Sequence, residues 1–486
     1  MRYTRSAALG AAITLLGGCA AGPRYVAPSS DAPPAFVGAA AVDERTAGSS
    51  AAPAEVDLIS WWRAFDDPLL TSLVERALAQ NLDLQQASAR VVQARAALKN
   101  ANAALLPSGQ VTGQAGETYQ SLETPIGRIG SAFPQFERST ETYDLSLGAS
   151  WELDLFGGRD AARDAARADW QASAAAAVAA RLTVAAQTAD TYIAIRTLQA
   201  RLEVARAQAD TQQKLVDLIA LQYRKGVAAE LQVRQAEGAL AQVRAAIPAL
   251  QNELDIAMNA LDVLLGVQPG TTRSELAQLS PIPLAPAVST AGGPAALLRR
   301  RPDIIAAERT LAASNARIGV AVSEYYPKIS LSGLLGTATT AAGGLFTGNA
   351  TQANGVLGLR WRLFDFGRVD AEIKVAKGRN AEALAAYRLT VLRASQDVED
   401  AFSTLVQQEA RSATLAQGEV SLTRARSASF AAYKGGVASL IEVLDADRRL
   451  FETRDGVIQA RAAAARGAIA SFRALGGGWD SVPVTN

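Results

Sequence analysis

Two segments of the chain alternate apolar and polar residues with a period of two. Between Tyr143 and Leu155 every odd position is apolar or small, and every even position is polar, charged or glycine. The same alternation recurs over residues 357–363. This period predicts β-strands with one apolar and one polar face. Trp151 and Trp361 lie near the ends of these segments, as interfacial aromatic residues do in membrane-spanning strands.

Two weaker alternating segments, 111–119 and 329–335, each follow a proline, which ends a preceding helix. We therefore expect two β-hairpins, about 107–156 and about 327–366, with four strands in all. One interpretation is a half-buried sheet in a soluble protein. The strands, however, are embedded in helical sequence and are as long as membrane-spanning strands, roughly 9–11 residues. Because four strands cannot close a barrel, strands that span a membrane would need other chains to complete it.

The remaining sequence has the pattern of long, packed helices. Residues 158–223 and 368–433 contain no proline, and at 1.5 Å per residue each would form a helix of roughly 100 Å. Apolar residues spaced mostly by three and four indicate coiled-coil-like packing. They are Leu240, Val243, Ile247, Leu250, Leu254, Met258, Leu261 and Leu265, and in the second half Leu384, Tyr387, Val391, Ala394, Val398, Ala401 and Leu405. Pro248 lies inside the first stripe and predicts a kink or a local break.

The two halves of the chain are repeats of each other. Three pairs of motifs share a displacement of 210 residues: Trp151 with Trp361, Tyr223–Ala228 with Tyr433–Ala438, and Leu265-Gly266 with Leu475-Gly476. Upstream the displacement is 220, as for Pro107 and Pro327, so the first half carries about ten extra residues before Trp151. Chance matches would not keep a constant displacement. The sequence therefore predicts an internal duplication.

The N-terminus has the layout of a bacterial lipoprotein signal. Two arginines precede an apolar run of about ten residues, which is too short to span a bilayer. The run ends at Leu16-Gly17-Gly18-Cys19, which resembles a lipobox, and Ala20 in place of aspartate implies sorting to the outer membrane. We expect acylation of Cys19, which several acyl chains would make a firm anchor. The alternative is a signal peptide that is cut elsewhere.

These patterns divide the chain into six segments. They are a signal peptide over 1–18, a lipid-anchored flexible tether over 19–60, a first repeat over 61–266 with a tip near 223–230, a linker over 267–293, a second repeat over 294–476 with a tip near 433–440, and a C-terminal tail over 477–486. The linker is rich in proline and glycine, which are typical of breaks between structural units.

Composition excludes several classes of function. The chain has no histidine and one cysteine, which excludes histidine-based catalysis, internal disulfides and ordinary zinc sites. Its 48 basic and 47 acidic residues give a net charge of +1, so nothing indicates a nucleic-acid partner. Asp365-Phe366-Gly367 matches a kinase motif, but its counterpart Leu155-Phe156-Gly157 indicates a strand-to-helix junction. We expect no catalysis, no metal site and no cofactor other than a covalent lipid.

Several motifs lie where a known family has them. Trp61-Trp62, Phe65 and Asp67-Pro68 open the first repeat, and Glu442–Ala446 follows the second tip. With the duplicated order of helix, hairpin, helix and tip, they make the chain resemble the outer-membrane factor family of Gram-negative bacteria. These are TolC-type exit ducts, and the resemblance is to the lipoprotein branch of multidrug RND-type efflux systems. It implies a mainly α protein with membrane β structure: a tunnel of long coiled-coil helices below a 12-stranded barrel, to which each of three protomers contributes four strands.

The same resemblance implies a function. A homotrimeric outer-membrane channel, anchored by lipid and projecting into the periplasm, would passively conduct drugs or other small molecules. An inner-membrane pump would deliver them through a periplasmic adaptor, a membrane fusion protein. A duct for type I protein secretion is a close alternative. A lipid-anchored periplasmic coiled-coil scaffold is a rival from another class, and a lipoprotein enzyme is the weakest interpretation.

The resemblance also locates functional residues. The periplasmic constriction of the family maps onto Ile441, Glu442, Asp445 and Arg448. Contacts with the adaptor and pump map onto the tips: Tyr223, Gly226, Val227, Ala228, Tyr433, Gly436, Val437 and Ala438. A spacing of three lets Glu442, Asp445 and Arg448 share one helix face, although an ordinary solvated face with ion pairs has the same spacing. Some family members carry arginine where this chain has Ala438, so a gate-locking network would use Arg448 or another basic residue here.

Overall fold

The computed structural model describes residues 22–29, 34–47, 57–288 and 293–480. The predicted signal peptide over 1–18 and the acylation site Cys19 lie outside the described residues. The helices are α1 (Ala39–Ala47), α2 (Pro68–Gln80), α3 (Leu82–Ala103), α4 (Pro125–Gly130), α5 (Gly158–Arg224), α6 (Glu230–Leu264), α7 (Arg273–Leu276), α8 (Gly293–Arg300), α9 (Pro302–Ser323), α10 (Arg368–Lys434) and α11 (Leu440–Ala474). The strands are β1 (Ser108–Tyr119), β2 (Ser139–Leu153), β3 (Lys328–Thr339) and β4 (Thr351–Arg360). Short 3-10 helices span Leu58–Phe65, Ala342–Gly344 and Gly348–Ala350.

The chain divides into two units. Of the described residues, the strand unit contains the sheet and comprises 22–28, 92–172 and 308–386. The helical unit comprises the described residues within 29–91, 173–307 and 387–480. Each unit takes segments from both halves of the sequence, because each repeat contributes one hairpin to the strand unit and long helices to the helical unit.

The four strands form one antiparallel sheet in the order β1-β2-β3-β4. Cross-strand partners share a face, so the apolar residues of neighbouring strands lie side by side. One row across the sheet is Val111, Leu147, Leu335 and Ala353, and the row four positions further along β2 contains Trp151, Leu331 and Leu357. The row that precedes Leu147 lies on the other face and consists of Thr112, Ser146, Gly336 and Gln352. The prediction of four strands with one apolar and one polar face is confirmed.

The tryptophans lie at equivalent junctions of the two repeats. The indole N–H of Trp151 donates to the carbonyl oxygen of Leu105 at 2.9 Å, and that of Trp361 donates to the carbonyl of Tyr325 at 3.0 Å. The alternating pattern placed Trp361 and the residues after it inside the last strand, but β4 ends at Arg360. The chain turns there towards α10, and Phe366 has a positive φ of 54° in this turn.

The long helices recur with the displacement seen in the sequence. Helices α5 and α10 have 67 residues each, and α6 and α11 have 35 each. The predicted stripe of α6 is buried at Leu240, Leu250, Leu254, Met258 and Leu261. Among the described residues, no helix is both long enough and apolar enough to cross a membrane.

Pro248 does not interrupt its helix. Helix α6 continues through it from Glu230 to Leu264, so the expected local break is absent. Pro248 lies on the exposed side of the helix, whereas Leu250 and Leu254 are buried. Packing of the buried side holds the helix together although proline removes one backbone hydrogen bond.

The segment before the first repeat makes specific contacts that its Ala/Pro/Ser/Gly-rich composition did not indicate. Phe36 is buried edge-to-face against Phe402, with ring centroids 5.8 Å apart. Glu399 accepts hydrogen bonds from the backbone N–H groups of residues 37 and 38 at 2.7 and 2.9 Å. Arg45 forms a bidentate pair with Glu409, with both distances 2.6 Å. In residues 34–47 the predicted tether is therefore bound to α10.

Asn81 joins helix ends within the first repeat. It is almost fully buried, its side-chain oxygen accepts the backbone N–H groups of Asp83 and Leu84, and its amide donates to the carbonyl of Leu264 at 2.9 Å. The equivalent position of the second repeat is Arg301, which donates to the carbonyl of Ala474 at 3.4 Å. In both repeats, the end of a 35-residue helix (α6 or α11) is thus joined to the start of a 22-residue helix (α3 or α9).

We expect Asn81→Ala to lower the stability of the helical unit by about 2 kcal/mol, because it removes a helix cap and leaves the Leu264 carbonyl without this donor. Thermal unfolding followed by circular dichroism in detergent measures the change. Gln86→Ala, an exposed position on the same helix, is the control and should leave the midpoint unchanged. Equal midpoints for Asn81→Ala and the control would show that this junction carries no stability.

Candidate functional site at the helix tips

Both helix tips end in the same turn. At the first tip the N–H of Gly226 donates to the carbonyl of Tyr223 at 2.9 Å, and that of Val227 donates to the carbonyl of Gln222 at 2.9 Å. These two bonds define a Schellman motif, which requires a left-handed residue. Gly226 and its counterpart Gly436 both have φ of 75°, a conformation that glycine adopts without steric cost. The sequence motif shared by the tips therefore encodes a tight reversal.

An apolar cluster lies directly beneath the two tips and joins them. It consists of buried residues from α5, α6 and α11: Leu215, Ile219, Val233, Ala236, Leu440 and Val443. Partly buried side chains pack around it, including Ala228, Phe430 and Tyr433. The two helical hairpins are therefore packed against each other at this end.

Each tip also exposes large apolar side chains. Val227 and Leu231 are 76% and 66% exposed, and their counterparts Val437 and Ile441 are 86% and 61% exposed. Ile441 was predicted to line the constriction. Its counterpart Leu231 is equally exposed, which the sequence reasoning did not single out although the displacement of 210 pairs the two residues.

A tyrosine hydrogen bond links the two hairpins. The hydroxyl of Tyr433 donates to the side-chain oxygen of Gln222 at 2.9 Å. Burial raises the pKa of the Tyr433 hydroxyl, so it remains a donor throughout the neutral range. The equivalent Tyr223 is 46% exposed. The two tip tyrosines, alike in sequence, thus have different environments.

The predicted gate residues divide into two groups at the start of α11. Ser439 is the N-cap, its hydroxyl oxygen accepts the N–H of Glu442 at 3.4 Å, and Glu442 lies in the first turn. A carboxylate there is favourable because it faces the positive end of the helix dipole. Glu442 therefore belongs to the cap, and the structure does not place it in the ion-pair network of Asp445.

Asp445 is the centre of a small ion-pair network. One carboxylate oxygen accepts from Arg448 at 2.7 Å and the other from Arg449 at 2.7 Å, while Arg448 also contacts Glu452 at 2.8 Å. The hydrogen bond from Arg448 is the main reason that the pKa of Asp445 lies below its usual value, and the charge of Arg449 adds to it. The predicted Asp445–Arg448 pair is thus formed, and Arg449 is a partner that the sequence reasoning missed.

A second ion pair lies buried behind these residues and was also missed. Asp447 is 1% exposed and accepts from the guanidinium of Arg426 on α10 at 2.7 Å. Its other carboxylate oxygen is buried without a hydrogen-bond partner. The first-repeat counterparts are Val216 and an exposed Glu237, which pairs with Arg234 of its own helix. The spacing of Asp447 from the buried Val443 and Leu450 would have revealed it, because it puts a charge on the apolar stripe.

Comparison with known proteins places this architecture in a family. The sequence profile described as "Outer membrane efflux protein" matches residues 73–267 and 293–477, which is more than half of the chain. The chain belongs to the outer membrane efflux protein family. Nodulation protein T of Rhizobium leguminosarum bv. trifolii is 32% identical to it over 452 residues, covering 92% of this chain and 91% of that protein.

Two further relatives bear on location and fold. The protein named "Probable outer membrane lipoprotein SilC" of Salmonella typhimurium is 29% identical over 96% of this chain and 97% of its own length. The solved structure of the outer-membrane channel OprN is similar with a TM-score of 0.83 and 32% identity, covering 95% of this chain and all of that chain. This family member is therefore an efflux channel of the outer membrane, as the sequence resemblance predicted.

The described residues contain no group of three or more side chains of the types that bind metal ions. The family is one of efflux channels, and the functional geometry of this member consists of helix turns, an apolar cluster and ion pairs.

The buried Arg426–Asp447 pair predicts that a double variant is more stable than a single one. Arg426→Leu should destabilise the helical unit by about 3 kcal/mol, because it leaves a carboxylate buried without a counter-charge. The double variant Arg426→Leu/Asp447→Leu should recover most of this loss, because it removes both charges together. Thermal unfolding in detergent measures both. The exposed first-repeat pair supplies the matched control: Arg234→Leu should change the midpoint little. A double variant no more stable than Arg426→Leu would contradict the burial argument.

Proposed function

We propose that three copies of the chain assemble into a duct that carries small molecules through the outer membrane. The observation that supports this most directly is the sheet with one apolar face and two open edges. Among the described residues, β1 and β4 pair on one side only. Backbone groups left unpaired in lipid cost several kcal/mol each, so strands in a bilayer need a closed barrel.

The number of copies follows from the width that a duct needs. Two copies would give eight strands, and the interior of an eight-stranded barrel is just wide enough for side chains to fill it. Three copies give twelve strands, which agrees with the trimer implied by the family resemblance. The apolar face, with Val111 and Leu357 72% and 74% exposed in the single chain, would contact lipid. The polar face, with Thr112 and Gln352, would line the passage.

A trimer has a direct test. Native mass spectrometry of the protein in mild detergent should show three chains, and the trimer should retain its strand signal in circular dichroism. Ala115→Pro, in the edge strand β1, should reduce trimer yield because the N–H of this residue points away from β2 and proline removes that donor from the open edge. Ala353→Pro would do the same from β4, whereas Gly348→Pro in the connecting loop is the control. A homogeneous monomer that retains the strand signal would overturn the proposal.

In the proposed trimer the periplasmic end is closed by the second hairpin. Three copies of Ile441 would form an apolar collar, and three Asp445 carboxylates would approach one axis. Gathered carboxylates repel one another and attract cations. Arg448 and Arg449, each 2.7 Å from an oxygen of Asp445, would offset that repulsion. The Tyr433–Gln222 bond and the cluster beneath the tips would hold the second hairpin against the first, so opening requires both to yield.

We expect Asp445→Ala and Arg448→Ala each to raise the single-channel conductance in planar bilayers, because either change removes the network at the constriction. Tyr433→Phe should also raise it, because it removes the hydrogen bond to Gln222, whereas the matched variant Tyr223→Phe should leave it unchanged. Loss of Glu442 or Asp445 should weaken block by divalent cations. Wild-type conductance in all these variants would place the constriction elsewhere.

The pH dependence of the closed state follows from the same pair. The pKa of Asp445 is lowered in the folded chain, so its pairing is complete above the ordinary carboxylate pKa and is lost only as pH falls through the lower, folded value. The conductance of the wild type should therefore stay constant from pH 7 to about pH 4. An increase on going from pH 7 to pH 5 would contradict this assignment.

Contacts with other components of the system would use the tips. The exposed Val227, Leu231 and Val437 provide apolar surface that a periplasmic adaptor can cover, with an inner-membrane pump supplying the energy. Acylation of Cys19 would add an anchor in the outer membrane. The cargo would be selected by the pump.

A further inference from the structure

The N-terminal residues 22–28 lie along helix α9, within the strand unit. Tyr25 packs against a cluster of small side chains, Ala168, Ala312 and Ala313. Its hydroxyl donates to the carboxylate of Glu308. The Arg309 guanidinium, which pairs with Glu308, lies 5.9 Å from the centre of the Tyr25 ring. The tyrosine is therefore held by packing, a charge-assisted hydrogen bond and a cation near its ring.

Two further contacts continue this path towards the end of α9. The side-chain amide of Asn315 donates to the carbonyl of Pro23 at 3.0 Å. Gly22 lies so close to Gly319 that a Cβ on Gly22 would be 2.6 Å from the Cα of Gly319. No side chain fits at that distance, so the two glycines permit a direct backbone contact. The segment thus runs antiparallel to α9, and its N-terminal end points towards β3.

The other repeat supplies an internal control. Helix α3 is the counterpart of α9, displaced by 220 residues. It carries Ser88, Ala89, Arg95 and Lys99 where α9 carries Glu308, Arg309, Asn315 and Gly319. A Cβ at the position of Gly319 would lie 3.1 Å from the Cβ of Ala161 on α5, closer than an ordinary contact. The residues that hold the N-terminal segment are therefore specific to the second repeat and are not a general property of the duplicated helix.

We propose that this face of α9 is a docking groove that fixes where the lipid anchor enters the membrane. The proposal rests on the acylation of Cys19 proposed above. Cys19 precedes Gly22 by three positions, so their Cα atoms lie at most about 10 Å apart. Gly319 is followed within one further helical turn by the end of α9 at Ser323, and β3 begins at Lys328. The acyl chains would thus insert beside the β3–β4 hairpin, where apolar residues such as Leu331 and Leu357 face lipid.

Limited trypsin digestion of the full-length detergent-solubilised protein tests the docking. Arg24 is exposed, but cleavage after it requires the docked segment to detach. Gly22→Val should accelerate this cleavage at least tenfold, because its side chain cannot fit against Gly319. Asn315→Ala should accelerate it roughly threefold to tenfold, the effect of losing one hydrogen bond. Arg95→Ala, the matched position on α3, should leave the rate unchanged. Wild-type cleavage as fast as that of the urea-unfolded chain would overturn the docking groove.

The same digests test the docking of the segment and the acylation of Cys19 independently. The mass of the released N-terminal peptide shows directly whether Cys19 carries lipid, while the cleavage rate reports docking in either case. Growth with a photoactivatable fatty acid, followed by irradiation and peptide mapping, locates the anchor. Cross-links should concentrate on β3 and β4 in the wild type and spread to other strands in Gly22→Val. An even spread in the wild type would show that docking does not position the anchor.

Discussion

A strand in lipid must find every backbone hydrogen-bond partner within protein, and this constraint governs the rest of the structure. The four strands satisfy it internally along three ladders and leave the outer sides of β1 and β4 open. A single chain therefore cannot be the functional unit if its sheet lies in the membrane. The apolar face that would be a liability on a soluble monomer becomes the lipid-facing surface, and the short polar side chains of the other face become the wall of a passage.

Duplication supplies most of the parts of this structure twice. The long helices, the tip turns and the tryptophan bonds at the junctions match between repeats, because each depends on a local motif that was copied with the sequence. The backbone differs in the hairpins, where the first connection is longer and contains α4. Further differences are in side chains. Arg426 and Asp447 form a buried pair where the first repeat has Val216 and Glu237, and α9 holds the N-terminal segment with residues that α3 lacks. The two repeats therefore place different contacts at equivalent positions of the same helices.

Local patterns explain which features the sequence reveals. Alternation predicted the strands, because one face of each strand is uniformly apolar, and the spacing of three predicted the Asp445–Arg448 pair, because both residues lie on one helix. The Tyr433–Gln222 bond joins residues 211 positions apart, and no periodicity carries information about it. The path of residues 34–47 was missed for a related reason. Its composition is that of a linker, and only a few residues, such as Phe36 and Arg45, hold it in place.

The position of the buried pair also constrains how the tips can move. Arg426 lies on α10 and Asp447 on α11, so this ion pair is internal to the second hairpin. Separating the two helices would leave the buried Asp447 carboxylate without its counter-charge. Near the tips, the contacts between the hairpins are a neutral hydrogen bond and an apolar cluster. Further from the tips two ion pairs join α5 to α11, Arg201 with Asp455 at 2.6 Å and Asp190 with Arg466 at 2.5 Å. The motion that would break the fewest charged contacts is therefore a displacement of the tip end of the second hairpin, in which α10 and α11 move together. In the proposed channel, the same displacement would carry Ile441 and Asp445 away from the axis together, so the apolar collar and the charged ring would open as one step.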